Sequence, residues 1–155
     1  MNSTVVGVTA SRLGLTEQQK AVASKILNAT TELHHGDCTG GDYDLHVITR
    51  TVAPEAKIVI HPPEKEDLRA WCVGDVLLEP RGYRLRDGDI VAASHVLVAF
   101  PHTMFEITRS GTWMTVRIAR SKRVNVVVVW PDGELTPGNK IEQTARSRSS
   151  KLLRA

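Results

Sequence analysis

Residues 95–121 read HVLVAFPHTMFEITRSGTWMTVRIARS. The apolar run at 95–100 predicts a buried β-strand, and the apolar spacing within 113–121 predicts a helix. Between them, the stretch from Arg109 to Thr112 places arginine, serine, glycine and threonine where the helix begins. Free N–H groups and the helix dipole make such a terminus favourable for an anion. This segment therefore predicts a strand–turn–helix unit whose turn binds a phosphate.

The same unit occurs twice more along the chain. The sequence GVTASR at 7–12 follows a β-branched run, and GDCTGGD at 36–42 follows a short strand pattern and opens a helix. Two further strands are indicated at 57–60 and 124–130. The second of these is an unbroken apolar run, which is typical of a parallel strand buried on both faces.

Strands that alternate with helices predict an α/β protein. The predicted strands are residues 4–9, 32–35, 57–60, 95–100 and 124–130. The first predicted helix runs from the capping box at Thr16 to near Asn28, and the others are 43–51, 83–93 and 113–121. Between the second and third of these, we predict a short helix at 68–73 and a short strand or loop at 75–78. We expect a three-layer Rossmann-like fold with a mostly parallel five-stranded sheet in the order 3-2-1-4-5.

Length and composition indicate one soluble domain, because 155 residues with 41% apolar content are ordinary for a globular protein. We assign this domain to 1–138 and a basic, disordered tail to 139–155. The tail has a net charge of +4, so the remaining residues sum to −1, and weak nucleic-acid contact is expected of the tail alone. Two cysteines, no signal peptide and no membrane-spanning segment favour a cytoplasmic protein without membrane contact.

The predicted ligand site lies at the carboxyl ends of the strands, where ligands of doubly wound sheets bind. The residues placed there are Thr9, Ser11, Arg12, His35, Gly36, Asp37, Gly40, Gly41, Asp42, His61, Pro101, Arg109, Ser110, Gly111 and Thr112. Simpler interpretations remain open, because Ser110 and Asp42 are also common helix caps. A structural turn is likewise the alternative to ribose binding by His35 or Asp37.

Candidate catalytic residues are two carboxylates. Cleavage of an N-glycosidic bond needs a carboxylate beside an oxocarbenium-like sugar, by analogy with glycosidases. Glu106 is the first candidate and Asp37 the second, with a surface charge as the alternative interpretation of Glu106. The spacing of His34, His35, Asp37, Cys38 and His46 matches no structural zinc pattern, so we predict no metal and no cofactor.

Four motifs together resemble the SLOG superfamily, the Rossmann-like domains similar to the DNA-processing protein DprA and to LOG-type nucleotide hydrolases. The motifs are GVTASR at 7–12, HHGDCTGGD at 34–42, HPP at 61–63 and RSGTWMTVR at 109–117. The resemblance covers about residues 4–133 and is strongest to small stand-alone bacterial and phage members.

The resemblance implies a nucleotide-like ligand at the sheet edge. Gly111 and Thr112 would hold a phosphate, Gly40 and Gly41 would allow close approach, and the turn with Ser11 and Arg12 would close the site. A further arginine of relatives corresponds to Arg86. The catalytic glutamate of LOG-type hydrolases is missing, because its positions hold Met114 and Thr115.

Three functions follow as hypotheses. The first is a nucleotide-binding protein that holds a nucleotide or ADP-ribose-like ligand without turnover. The second is a nucleotide-metabolising enzyme that cleaves or transfers at the N-glycosidic bond, as a phosphoribohydrolase or deoxyribosyltransferase does. The third is a DprA-like binder of single-stranded DNA. A homo-oligomer is compatible with all three.

Overall fold

A single twisted sheet organises the protein in the computed structural model, which describes residues 3–139. Its seven strands are β1 (Val5–Ala10), β2 (Glu32–His35), β3 (Lys57–Ile60), β4 (Val76–Leu77), β5 (Val96–Phe100), β6 (Asn125–Val129) and β7 (Leu135–Pro137). The spatial order is β4-β3-β2-β1-β5-β6-β7. Every pairing is parallel except that of β6 with β7.

Four helices within residues 3–139 cover the two faces of this sheet. They are α1 (Glu17–Leu27), α2 (Gly41–Val52), α3 (Tyr83–Ala93) and α4 (Gly111–Ser121). Helix α1 packs with α2, and α3 packs with α4. Because strand side chains alternate between faces, β5 sends Val98 and Phe100 into one core and Leu97 and Ala99 into the other. The predicted three-layer arrangement is therefore confirmed.

The sheet has two more strands than predicted, so its full order also differs from the prediction. The additional strands are β4 and β7, and each lies at one edge. They are two and three residues long, too short for the alternation that identifies a strand in a sequence. Between these edges, the five predicted strands follow the order β3-β2-β1-β5-β6.

Local predictions were partly right. The capping box at the start of α1 is present, with the Thr16 hydroxyl accepting from the Gln19 N–H at 3.0 Å. The short helix predicted at 68–73 is wrong, because the structure has only a 3-10 turn at Glu66–Leu68 followed by irregular backbone. That backbone is held by side-chain contacts from elsewhere in the fold rather than by its own helical hydrogen bonds.

The predicted tail lies outside the described residues except for Asn139. The side-chain amide of Asn139 hydrogen-bonds to the backbone of Val124 and Val126. These bonds join the chain just after β7 to the start of β6. The division between a domain and a tail therefore stays a prediction. Within residues 3–139, no helix has the length and apolar character needed to cross a membrane.

Candidate ligand-binding site

A cleft of about 770 Å³ opens at the carboxyl ends of β1, β2 and β5. Its walls come from the turns after these strands and from the first turns of α3 and α4. The lining residues are Val8, Thr9, Ala10, Ser11, Arg12, Leu13, Gly36, Cys38, Asp42, Tyr83, Arg86, Asp87, Ile90, His102, Thr108, Arg109, Ser110, Gly111, Thr112, Met114 and Arg117. Its position and size are those of a small-molecule site in an open α/β sheet.

One end of the cleft is the N-terminus of α4. The Ser110 hydroxyl caps this helix by accepting from the Trp113 N–H at 3.3 Å. The first N–H groups of a helix have no intrahelical partner, so those of Gly111 and Thr112 remain available to a ligand. A methyl group added at Gly111 would meet no heavy atom within 4 Å, so the approach to these donors is open.

Positive charge surrounds the same end. Arg109 lines the cleft here with an exposed side chain, whereas the exposed Arg12 lines it beside Tyr83, with its guanidinium 5.4 Å from the centre of that ring. Arg117 also lines it and is fixed by the Glu106 carboxylate at 3.0 Å and by the Thr108 carbonyl at 2.8 Å. The guanidinium groups of Arg109 and Arg117 beside a helix N-terminus favour an anionic ligand such as a phosphate.

The opposite end of the cleft is buried. Arg86, only 6% exposed, donates from Nη1 to the carbonyls of Gly36 at 2.7 Å and His61 at 3.3 Å. Its Nε lies 2.8 Å from the carboxylate of Asp87. Burial raises the pKa of Asp87, although the charge of Arg86 opposes this shift.

Asp42 is the second carboxylate of this buried end. It is 6% exposed and accepts from the Cys38 N–H at 3.2 Å. Burial raises its pKa to about 6, against the opposing charge of Arg86. The neighbouring Cys38 thiol lies 3.8 Å from Nη1 of Arg86, but burial and the charge of Asp42 raise its pKa, so it is protonated at neutral pH.

Ten of the predicted ligand-binding residues line the cleft. They are Thr9, Ser11, Arg12, Gly36, Asp42, Arg86, Arg109, Ser110, Gly111 and Thr112. The glycines Gly40 and Gly41 lie behind it, where an added methyl group would meet the backbone of Arg12 and the side chain of Ala10. The absence of side chains at these two positions allows the turn after β2 to approach the turn after β1 closely.

Asp37, proposed as a catalytic and ligand-binding residue, does not line the cleft. It is fully buried and accepts from Arg69 Nε at 2.8 Å and from the Cys72 N–H at 2.9 Å. Its backbone has φ of 55°, a left-handed conformation that aspartate tolerates better than most residues. The side chain ties the irregular 69–72 segment to the turn after β2.

Glu106, the first candidate for catalysis, is also outside the cleft lining. Its Oε1 accepts from Arg117 at 3.0 Å and from Arg120 at 3.2 Å. A carboxylate held between two guanidinium groups is engaged by the protein itself rather than presented to a ligand. In this arrangement Glu106 positions Arg117 for the cleft.

His61, Pro101 and His35 have structural partners. The ring of His61 lies 2.8 Å from Nδ1 of His34, and the Pro101 carbonyl accepts from Gln19 Nε2 at 2.9 Å. His35 is fully buried, and burial lowers its pKa to about 3. None of the three lines the cleft.

His35, His46 and Cys72 form a cluster whose ligand atoms lie within 4.8 Å of one another. The Asp37 N–H donates to Nδ1 of His35 at 2.9 Å, which places the proton of the neutral ring on Nε2. That Nε2 lies 3.0 Å from Nδ1 of His46 and donates to it. A metal ion bound by both rings would need a lone pair on Nε2 of His35 and another on Nδ1 of His46. Because a proton lies between these two atoms, the geometry is that of a hydrogen-bonded pair of rings.

Five polar lining residues were not predicted from the sequence, namely Tyr83, Asp87, His102, Thr108 and Arg117. One signal for Arg117 existed, since it follows Gly111 and Met114 at intervals of three and so lies on the same side of a helix. Tyr83 and Asp87 follow a long irregular connection between β3 and α3, and no local pattern indicates where that connection returns to the sheet.

The fold and the cleft together are those of a Rossmann-like protein with a site sized for a small ligand. No described protein family matches the sequence, and no curated protein matches it. Solved structures do. The molybdenum cofactor binding protein of the phototrophic bacterium Rippkaea orientalis has a TM-score of 0.66 at 16% identity, covering 98% of this chain and 85% of that chain.

Two further structures show the same fold. The molybdenum cofactor carrier protein of Chlamydomonas reinhardtii has a TM-score of 0.55 at 18% identity, over 81% of this chain and 76% of that chain. The structural-genomics target TM1055 has a TM-score of 0.59 at 12% identity, over 79% and 72%. At such identities the likeness shows the fold alone.

Proposed function

We propose that this protein belongs to the SLOG superfamily and binds a nucleotide or ADP-ribose-like ligand in the cleft, with a phosphate at the N-terminus of α4. The observation that carries the proposal is the open first turn of α4 beside Arg109 and Arg117. The N–H groups of Gly111 and Thr112 and the guanidinium of Arg109 are the phosphate donors.

Binding without turnover is the activity that the side chains support best. The two carboxylates considered for N-glycosidic cleavage, Glu106 and Asp37, are each engaged by arginine and lie outside the cleft lining. The cleft carboxylates, Asp42 and Asp87, are both buried and engaged by protein groups, Asp42 by the Cys38 N–H and Asp87 by Arg86. Catalysis at a glycosidic bond would need a carboxylate that is free to act beside the sugar.

Calorimetry with inorganic phosphate, AMP, ADP and ADP-ribose tests the proposal, together with thermal melting. We expect a phosphate-bearing ligand to bind, and Arg109→Ala to weaken it about fivefold through loss of one exposed charged contact. The matched control is Arg84→Ala, which removes an exposed arginine of α3 that does not line the cleft. Equal affinities in both variants, or no binding by any phosphate compound, would contradict the proposed site.

A second candidate function is binding of a molybdenum cofactor. It is favoured by the Rippkaea neighbour, a molybdenum cofactor binding protein whose fold matches 98% of this chain. Metal analysis of the protein purified from a host that makes the cofactor distinguishes the two candidates. Stoichiometric molybdenum that is lost in Arg109→Ala supports the cofactor, and molybdenum-free protein that binds a nucleotide supports the first proposal.

DNA binding is tested in the same panel with a short single-stranded oligonucleotide. Affinity that disappears when 140–155 are removed assigns the contact to the basic tail rather than to the cleft. Affinity that instead falls in Arg109→Ala would support a DprA-like function of the sheet edge.

A further inference from the structure

We propose that the carboxylate of Asp42 reads the heterocycle of the ligand, accepting from the adjacent ring N–H and amino group of a 2-amino-4-oxopyrimidine edge. The cleft would then select guanine or pterin rings over adenine. This inference deepens the proposed function and rests on it for the position of the phosphate.

The first support is distance along the sheet edge. Helix α4 follows β5, the Asp42 turn follows β2, and β1 lies between the two strands. Two strand spacings amount to about 10 Å. A nucleoside monophosphate spans a comparable length from its phosphate to the far edge of its base, so a phosphate at Gly111 directs that edge towards Asp42.

The second support is the gradient of burial between the two ends. Arg109 and Gly111 are exposed, whereas Asp42 is 6% exposed, and the lining also includes the apolar Val8 and Ile90, which are at most 2% exposed. Apolar walls with a few polar groups at the edge are typical of sites for planar rings. The hydroxyl-rich sugar and the charged phosphate fit the exposed end, and the ring fits the buried end.

The third support is the hydrogen bonding of Asp42 itself. Among residues 3–139, the Cys38 N–H is the one donor that hydrogen-bonds to this carboxylate. A carboxylate has about four acceptor positions, and leaving them unpaired in a buried site costs free energy. Two parallel N–H groups from a ligand would fill this deficit in one planar contact.

Adenine lacks the complementary pattern. Its pairing edge presents a ring nitrogen that accepts beside an amino group that donates, so one carboxylate oxygen would face another acceptor. Guanine and pterins share the edge that presents two donors. Discrimination that leaves a buried polar group unpaired is large, and we expect at least a tenfold preference.

The test compares affinities for GMP, AMP and neopterin, a pterin without phosphate. Wild type should bind GMP at least tenfold more tightly than AMP, and Asp42→Asn should lose most of that preference because its amide presents one donor and one acceptor. The control is Asp89→Asn, which alters a partly exposed carboxylate of α3 outside the cleft lining and should leave all affinities unchanged. Neopterin binding that depends on Asp42 identifies a pterin site, and its absence alongside GMP binding identifies guanine.

The outcomes separate this inference from the proposed function. Equal binding of GMP and AMP that is sensitive to Arg109→Ala would overturn the role of Asp42 and leave the phosphate site intact. Neopterin binding that depends on Asp42, without any binding of phosphate compounds, would support Asp42 and overturn the phosphate site.

A second test measures how the preference of the wild-type protein for GMP over AMP depends on pH. Asp42 faces Arg86, Asp37, Asp87 and Cys38, and its pKa of about 6 means that it becomes protonated in mild acid. The protonated carboxyl carries a donor, so the preference of wild type for GMP should shrink below pH 6. A preference that is the same at pH 5 and pH 8 would contradict recognition by this carboxylate.

Discussion

The turn between β2 and α2 and the turn between β5 and α4 look alike in sequence but differ in use. Both follow a strand, carry glycine and polar residues, and open a helix. Helix α4 begins at Ser110 with a side-chain cap and an open approach at Gly111. Helix α2 begins at Gly40 without a side-chain cap and is pressed against the turn after β1. A glycine-rich helix start is therefore an anion site only where the surrounding turns leave it accessible.

The acidic residues of the two turns also differ in their burial and in their ion-pair partners. Asp37 is fully buried and pairs with Arg69, whose side chain is 10% exposed. Glu106 pairs with Arg117 and Arg120 in a partly exposed loop. We infer that the first pair maintains the fold, whereas the second mainly orients Arg117 towards the cleft.

The largest expected effect comes from breaking the buried pair. Asp37→Ala leaves the guanidinium of Arg69 without its partner, and such losses cost about 3–5 kcal/mol of unfolding free energy. Glu106→Ala should cost about 1 kcal/mol or less, because exposed ion pairs contribute little. Denaturant titration of both variants measures the difference. Similar losses in the two variants would contradict the assigned division between a structural turn and an open turn.

The glycines provide the next comparison. Gly40 has φ of 91°, and an added methyl group would collide with the backbone of Arg12. Gly40→Ala should therefore cost about 3 kcal/mol, from left-handed strain and overpacking together. Gly111→Ala should not destabilise the protein, since it has open space and alanine favours a helix by up to about 1 kcal/mol.

Ligand affinity sharpens this comparison when it is measured on the same proteins. In Gly111→Ala the methyl group lies beside the phosphate donors, so a stable variant with weakened nucleotide binding is expected. Unchanged affinity with intact stability would place the phosphate elsewhere in the cleft. A destabilised Gly111→Ala would show instead that the start of α4 is packed like that of α2.

Sequence reasoning found the layers of the fold because the five central strands are strongly apolar. It missed β7 and left β4 open as a short strand or a loop, because two or three residues such as Val76 and Leu77 carry no periodicity. It also found the polar residues of the strand ends, but not which of them face inward. His35 and Asp37 lie beside Gly36, yet only the glycine lines the cleft, because the 69–72 segment covers its neighbours. That segment is more than thirty residues away, so no local pattern reveals the contact.

The last comparison is the stability of the fold in acid, which depends on buried histidines near the ends of β2 and β3 and on Asp42 of the cleft. Burial lowers the pKa of His35 to about 3 and of His61 to about 4, from 6.5 in the unfolded chain. The unfolded chain therefore binds more protons below pH 6.5, and each histidine removes about 1.4 kcal/mol of stability per pH unit as the pH falls towards its folded pKa. Asp42 acts oppositely, because its pKa is raised from 3.8 to about 6 and it favours the folded state as it becomes protonated.

His35 and His61 together outweigh Asp42, so we expect the stability to fall between pH 6 and pH 4. The lowered pKa values of His34 and His46 act in the same direction, whereas the raised pKa of Asp87 opposes them. Denaturant titrations across this range measure the slope. His35→Asn removes one of these histidines, so the slope should become shallower by about 1.4 kcal/mol per pH unit. An unchanged slope in that variant would mean that titrating groups other than His35 cause the loss of stability in acid.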